Sequence, residues 1–328
     1  MANWFYYDSD GQKKGPLTTG QVKELARSGT ITPETKIENE AGKSAVAGKI
    51  KGLEFPPPEE ERPSLLAMPL LRDQEFNPEA VLRRLRDHWG IPIRDEDITA
   101  SSQSDKTCAF NAAEHIVAMS LMPGRLPDGE IESLFPVSPY WDNAEAETAE
   151  HQSHVIVYLS SGPGSVIERY SLFTKVVESI LVETNSLGVY QGLQTLLISR
   201  ENYLDMAQVL LSGGLPLLLW IFIGMGKSSK GNTLYTYGLT GFDKKEMEII
   251  DSKKDLGELY DFLLNICDYV ISRDVTFKDG ETVGYTKNAD AKISISKGVH
   301  LEGDTIKLQI QQQPSVLKSL LGKFGGKK

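Results

Sequence analysis

A chain of 328 residues, 40% hydrophobic and 24% charged, is long enough for about two globular domains with ordinary cores. Its formal charge of −10 argues against a nucleic-acid partner, because neutralising phosphates requires a basic surface, and it is compatible with a basic protein partner. Cys108 and Cys267 lie in apolar segments and fit a reducing compartment, and the N-terminus has no secretory pattern, so we expect a cytoplasmic location.

Aromatic residues are concentrated at the start of the chain. The segment reads Trp4-Phe5-Tyr6-Tyr7, a polar turn, Gly15-Pro16-Leu17, a short amphipathic stretch and Gly29-Thr30-Ile31. Rings this dense beside a Gly-Pro pair predict a small module with a ring-lined face. Such a face suits proline-rich peptides, because a polyproline II helix is already ordered before it binds. The alternative is that the rings fill the core of a very small domain.

The N-terminal segment resembles a GYF-type domain in its short bacterial form. Trp4, Tyr6, Gly15 and Pro16 match the Trp-x-Tyr and Gly-Pro parts of the family pattern, and Gly29 matches its later glycine. The resemblance implies a module that binds a proline-containing protein segment. We predict that the peptide face is formed by Trp4, Tyr6, Tyr7 and Pro16.

The segment also departs from the GYF pattern at five positions. Leu17 stands where Phe is usual, and Val22 stands where Met is usual. Leu25 replaces the second Trp, and Thr30-Ile31 replaces Tyr-Phe. Part of the usual proline-binding face is therefore missing, which leaves the ligand class open.

Changes in composition divide the chain into four parts. A first module over 1–53 is followed by a linker over 54–64, in which Pro56-Pro57-Pro58 precedes a run of acids and predicts a stiff, solvated segment. An α+β domain of unknown function is expected over 65–311. A basic amphipathic tail is expected over 312–328.

The larger domain alternates predicted strands and helices in chain order. We predict a strand at 65–71, a helix from 78, strands near 107–110 and 115–122, an acidic segment at 128–141, a strand at 155–159, a helix at 166–184, a strand-like segment at 188–198, a helix at 201–212, a buried strand at 217–223, its partner at 232–239, a helix at 255–272, and strands at 291–296 and 305–311. This order favours an α+β fold with a mixed or antiparallel sheet. Two passes, 65–122 and 155–239, fit a duplicated ferredoxin-like arrangement.

Six short stretches of the larger domain carry a second resemblance. They are Trp141, His154-Val155-Ile156-Val157, Gly188-Val189-Tyr190, Leu217-Leu218-Leu219-Trp220, Leu234-Tyr235-Thr236-Tyr237-Gly238-Leu239 and Lys278-Asp279-Gly280-Glu281-Thr282-Val283-Gly284. Through them, the stretch around 66–296 is similar to the family labelled domain of unknown function 4261. The resemblance implies one compact α+β domain with an unknown partner, and it implies no activity.

The best candidate for metal chemistry is the group Glu147, Glu150, His151 and His154. On a helix, Glu147 and His151, and likewise Glu150 and His154, would be neighbours at i and i+4, and His-x-x-His with carboxylates supplies ligands for a divalent metal. The spacing lacks the catalytic Glu of a zincin. The alternative is that His154 packs at the start of a strand and the acids form a solvated face. We expect no cofactor.

Two further segments have features of ligand-binding sequences. Gly224-Met225-Gly226-Lys227-Ser228 resembles a phosphate loop, but Ile221 stands where a Walker motif needs Gly, so the segment predicts a hairpin. The tail contains four lysines and a set of apolar residues at helical spacing. The apolar residues are Val316, Leu317, Leu320, Leu321 and Phe324. Membrane contact is expected only through this tail, which also suits a partner groove or the acidic protein itself.

The leading interpretation is a non-catalytic, cytoplasmic, bacterial adaptor or scaffold protein. Its N-terminal module binds proline-containing segments, and its larger domain binds an unknown partner. One alternative is an immunity or inhibitor protein that sequesters a basic toxin, because acidity steers such a partner. A second alternative is a metal-dependent enzyme that uses the region of His151 and His154.

Overall fold

The computed structural model describes residues 4–8, 11–27, 30–53, 63–162, 164–287 and 289–312. The chain divides into two compact units, Met1–Arg62 and Pro63–Lys328. Helices occur together with antiparallel and mixed sheets, so the predicted α+β class is confirmed. Gly29, most of the predicted linker (54–62) and the tail segment 313–328 lie outside the described residues.

The first unit, in its described part, is a four-stranded antiparallel sheet with one helix. Its elements are β1 (Trp4–Tyr7), β2 (Lys13–Leu17), α1 (Thr19–Arg27), β3 (Lys36–Asn39) and β4 (Ser44–Val46). The strand order β2-β1-β3-β4 gives β1 a neighbour on each side. The core consists of small and aliphatic side chains: Val22, Ala26, Ile31, Ile37 and Ala47. So small a core needs the partly buried rings that pack against it.

Within the described residues of the second unit, seven strands form one sheet. They are β5 (Leu65–Leu71), β6 (Ile98–Ser102), β7 (Thr107–Ala112), β8 (His115–Pro123), β9 (Ser153–Leu159), β10 (Ser186–Gln191) and β11 (Leu196–Ser199). Their order is β11-β10-β5-β9-β8-β7-β6, and neighbouring strands are antiparallel. Strands from both predicted ferredoxin-like passes join this one sheet, so the duplication is not confirmed.

A second sheet of the same unit has six strands among the described residues. They are β12 (Phe222–Lys227), β13 (Asn232–Tyr237), β14 (Met247–Ser252), β15 (Thr282–Thr286), β16 (Ala289–Lys297) and β17 (Asp304–Gln312). The order is β12-β13-β14-β17-β16-β15, with β14 and β17 parallel and the other pairs antiparallel. β12 and β13 form the predicted hairpin, so the segment that resembled a phosphate loop is part of a strand.

Five further α-helices belong to the second unit in its described part. They are α2 (Pro78–Asp87), α3 (Ala144–Thr148), α4 (Val166–Glu183), α5 (Arg200–Ala207) and α6 (Leu256–Ser272). Side chains cap the predicted starts: Asn77 accepts from the Glu79 amide at 3.1 Å, and Asp255 accepts from the Gly257 amide at 2.9 Å. Such caps satisfy amides that have no partner inside the helix. Of the helices in the described part of the chain, none has the length and hydropathy needed to span a lipid bilayer.

The seven-stranded sheet has apolar layers on both faces. Alternate residues of β5 divide between them, because Ala67 belongs to the main core with α4, whereas Leu70 belongs to a smaller cluster. The smaller cluster is completed by a covering segment, 124–150, through residues Leu126, Ile131, Leu134, Trp141 and Ala144. The stretch that the sequence indicated only as acidic is therefore a packed layer over the sheet.

Two predicted elements differ from the structure. The predicted strand at 217–223 begins instead with a 3₁₀ turn, Leu217–Leu219, and the strand starts at Phe222. Pro216 precedes this turn, and Leu217, Leu219 and Trp220 are buried, so a fully apolar run packs without strand pairing. The predicted helix at 201–212 ends at Ala207 and continues as a 3₁₀ helix, Gln208–Ser212.

Candidate peptide-binding site

β1 carries three of the four residues predicted to bind a peptide, and it places them on two faces of its sheet. Successive side chains of a strand point to opposite faces. Trp4 and Tyr6 therefore share one face, while Tyr7 lies on the other face with Phe5. All four rings are half-buried. The structure brings Trp4 and Tyr6 together and separates Tyr7 from them.

The face that carries Trp4 and Tyr6 retains hydrogen-bond donors. Both rings pack against the core of the first unit and keep part of their surface exposed. The indole Nε1 of Trp4 donates to the Oγ1 atom of Thr19 at 3.3 Å, and Thr19 is itself exposed. The Tyr6 hydroxyl has no hydrogen-bond partner among the described residues. A ligand on this face would therefore meet one weakly engaged donor and one unengaged donor.

The Gly15-Pro16 pair forms an irregularity in β2 beside this face. Trp4 pairs with Leu17 and Tyr6 pairs with Lys14, so β2 uses one more residue than β1 over the same length. Gly15 has a φ of +135°, and a Cβ atom there would lie 2.7 Å from the carbonyl oxygen of Trp4. Only glycine fits this position. The following Pro16 is exposed next to the strand that bears the rings.

The opposite face of β1 is occupied by a polar network. The Tyr7 hydroxyl donates to Glu38 Oε2 at 2.7 Å, and Lys13 Nζ lies 2.7 Å from Glu38 Oε1. Lys13 also lies over the Phe5 ring at 4.4 Å, and Lys36 lies over the Tyr7 ring at 4.7 Å. The hydrogen bond to Glu38 raises the pKa of Tyr7. Tyr7 thus has partners of its own on the face away from Trp4.

The polar network around Glu38 is not among the features predicted from the sequence. The signal that would have found it is the two-residue alternation along β1, which places Phe5 and Tyr7 on one face. The residues that depart from the GYF pattern serve the core: Leu25 is half-buried against it, and Ile31 is fully buried. Thr30, beside Ile31, is exposed.

A buried ion pair lies in the second unit, on strands β14 and β17. The Glu248 side chain is 0% exposed, and its Oε2 atom lies 2.6 Å from Lys307 Nζ. It also accepts hydrogen bonds from the Thr305 hydroxyl and from the amides of Val299 and His300. Burial raises the pKa of Glu248, but the hydrogen bonds from Lys307 and the other donors outweigh burial and bring it to about 2. Through these two amides, Glu248 holds the 298–303 loop against the sheet by hydrogen bonds.

Comparison with known families locates two regions of the chain. Residues 4–41 match the family described as GYF domain 2. GYF domains bind proline-rich peptides, which fits a role in protein interaction. Residues 235–309 match a family described as a domain of unknown function, DUF4261. The predicted layout of a GYF-like module followed by this second family is confirmed.

The extent of the two matches differs from the resemblances seen in the sequence. The GYF match covers β1 through β3, including the Gly15-Pro16 irregularity. The DUF4261 match contains the stretches 235–239 and 278–284 and the Glu248–Lys307 pair, while Trp141 and the stretches near 154, 188 and 217 lie outside it. A search of curated proteins and a search of solved structures found no match.

The histidines singled out for metal binding have other partners. His151 Nε2 accepts from the Leu126 amide at 2.9 Å, so Nδ1 carries the proton and donates to the carbonyl of Thr148. His154 Nδ1 contacts the carbonyl of Gly124 at 3.2 Å. Burial lowers the pKa of both imidazoles. Both rings are therefore neutral packing groups at neutral pH, and His151 has no lone pair left for a metal.

The remaining candidates for chemistry are also accounted for. Glu150 is exposed and pairs with Arg72 at 3.0 Å. Across the residues that the structure describes, His, Cys, Asp and Glu side chains nowhere form a group of three or more that would hold a metal ion. Cys108 and Cys267 are buried and unpaired with each other, and burial raises the pKa of both thiols, to about 11 for Cys108. Neither thiol is activated as a nucleophile.

Proposed function

We propose that this protein is a non-catalytic, cytoplasmic interaction protein of bacteria. Its N-terminal unit would bind a proline-containing segment of another protein, and its second unit would bind a different protein that has not been identified. The observation that carries the proposal is the GYF match over residues 4–41. The half-exposed rings and the exposed Pro16 within that match support it.

The peptide would lie on the face that carries Trp4 and Tyr6. A polyproline II helix has no internal hydrogen bonds, so its carbonyl groups seek donors from the partner. The Tyr6 hydroxyl and the Trp4 indole N–H are donors of this kind, set among flat rings that suit proline. Pro16 would border the same face. Tyr7, whose hydroxyl donates a hydrogen bond to Glu38, would stabilise β1 on the opposite face of the sheet.

Removing the same atom from each face of β1 tests this placement. We would titrate full-length protein with a decaproline peptide by isothermal titration calorimetry, which needs no tryptophan at the site. Tyr6→Phe removes the unengaged hydroxyl and should weaken binding by about fivefold, which is the value of one hydrogen bond near 1 kcal/mol. Tyr7→Phe is the matched control and should bind as tightly as the native protein.

Trp4→Ala provides the larger perturbation. Truncating a ring at the centre of an interface commonly costs 2 kcal/mol or more, so affinity should fall by roughly thirtyfold. Circular dichroism would establish that the variant stays folded. Native affinity in both Trp4→Ala and Tyr6→Phe, or a greater loss in Tyr7→Phe than in Tyr6→Phe, would refute the proposal.

A further inference from the structure

A cavity in the second unit lies far along the chain from the peptide-binding face. Its volume is about 580 Å³, within the range of small-molecule sites. It opens at the edge of the seven-stranded sheet where β5 and β11 end and β10 begins, because β10 is antiparallel to both. Arg72 follows β5 directly, Arg200 follows β11 directly, and both line the cavity.

Both arginines are anchored through one nitrogen only. Arg72 Nε donates to Glu150 Oε2 at 3.0 Å, and Arg200 Nε donates to the carbonyl oxygen of Leu181 at 3.0 Å. Their terminal nitrogens have no hydrogen-bond partner within the described ranges. A guanidinium fixed in this way keeps the paired N–H groups that bind a carboxylate in bidentate fashion. The cavity therefore has a place for a negative group.

Three carboxylates line the same cavity, and two of them belong to the covering segment. Trp141 is buried, and its indole Nε1 donates to Glu147 Oε2 at 3.0 Å. The ring lies against Gly188, where a Cβ atom would come within 2.4 Å of Trp141 Cζ3, so only glycine leaves room for the indole. Asp142 and Glu201 add two further carboxylates to the lining. The cavity therefore also has a place for a positive group.

The two signs of charge restrict the ligand. A simple anion such as phosphate would meet three carboxylates, and a simple cation would meet two guanidinium groups. A molecule with one carboxylate and one ammonium group satisfies both sets. We propose that this cavity binds a free α-amino acid or a short peptide as a zwitterion, with its carboxylate at Arg72 and Arg200 and its ammonium group at the side of Glu147.

Calorimetric titration of the full-length protein tests the proposal. The probes are the standard L-amino acids, L-alanyl-L-alanine, and inorganic phosphate, all at millimolar concentration. At least one amino acid or the dipeptide should bind, and which of them binds distinguishes a free amino acid from a peptide as the ligand. Blocking the amino group by acetylation, or the carboxylate by amidation, should abolish binding of that probe.

Three variants connect binding to the named side chains. Arg72→Gln and Glu147→Gln should each weaken binding at least about tenfold, because each removes one charged partner of the ligand. Arg83→Gln is the matched control, since Arg83 is exposed on α2 and does not line the cavity, and it should bind as the native protein does. Arg72 is exposed, so its substitution leaves the core intact. Absence of binding by every amino acid and the dipeptide, or phosphate binding that equals theirs, would overturn the proposal.

Discussion

Replacing Glu248 by Gln should destabilise the second unit strongly. Glu248 is fully buried, and its nearest charged partner is Lys307, whose side chain is 11% exposed. The substitution keeps the shape of the side chain and removes its charge, so the Lys307 ammonium group loses its counterion inside the protein. Breaking one partner of a buried ion pair typically costs about 3–5 kcal/mol.

The pKa of Glu248 gives a second value for the stability that its charge contributes. It is about 2 in the folded protein against an ordinary value of 4.5, and a difference of this size corresponds to about 3 kcal/mol of stability at pH 7. Because the folded pKa is depressed, this stability is complete above the ordinary value and is lost as the pH falls toward 2. The deficit of Glu248→Gln should therefore be about 3 kcal/mol at pH 7 and should shrink below about pH 4.

Urea unfolding of the full-length protein, followed by tryptophan fluorescence, measures the deficit at several pH values. Glu302→Gln is the matched control, because Glu302 is exposed in the same loop, and its stability should stay within about 0.5 kcal/mol of the native protein. Hydrogen exchange at the amides of Val299 and His300 should accelerate in Glu248→Gln, since Glu248 accepts from both. Equal stability of the two variants at pH 7, or a deficit that does not change with pH, would refute this account of the ion pair.

Two further substitutions test packing and charge in the second unit, both read by urea unfolding of the full-length protein. Gly188→Ala places a Cβ atom 2.4 Å from Trp141 Cζ3, so it should lower the free energy of unfolding by about 1–3 kcal/mol. It should also shift the fluorescence of that tryptophan. Native stability of the variant would contradict the close contact. Arg84→Gln leaves the fully buried Glu178 without its ion pair and should lower the free energy of unfolding by about 3 kcal/mol. The control Arg83→Gln, on the exposed side of α2, should lower it by less than about 0.5 kcal/mol. Equal losses in the two variants would contradict a buried ion pair.

The helices were predictable because their ends carry local signals. Asn77 and Pro78 mark the start of α2, and the apolar periodicity of 166–184 and 255–272 gives α4 and α6 within one or two residues. Buried acids inside such helices are harder to anticipate. Glu178 is accommodated only because Arg84 and the Trp89 indole, far away in sequence, both reach it.

The prediction of a strand that begins at Leu217 is wrong for a physical reason. Periodicity cannot separate a buried strand from another buried conformation in a short apolar stretch. Leu217–Leu219 forms a 3₁₀ turn that is buried beside Trp220. The indole Nε1 of Trp220 donates to the Oγ1 atom of Thr174 on α4 at 2.9 Å. That bond joins residues 46 positions apart, which a local pattern cannot contain.

The candidate site was predictable in part. The density of rings and the Gly-Pro pair located the module, and the family comparison agrees with that location. The sequence grouped Tyr7 with Trp4 and Tyr6, although strand alternation sends it to the opposite face. The arginine-and-carboxylate cavity was not predicted, because Arg72, Arg200 and Glu147 come from three separate elements that meet only in the folded sheet.

The position of β17 has a consequence for how the protein is made. β17 lies between β14 and β16, so the six-stranded sheet stays split until residues 304–312 leave the ribosome. At ordinary rates of protein synthesis, the 51 residues between Ser252 and Asp304 take roughly 3–10 s to translate. Throughout that interval, the edge of β14 that pairs with β17 in the folded protein has unpaired backbone N–H and C=O groups. Until β17 has been made, this open edge is therefore a place where a wrong strand can pair.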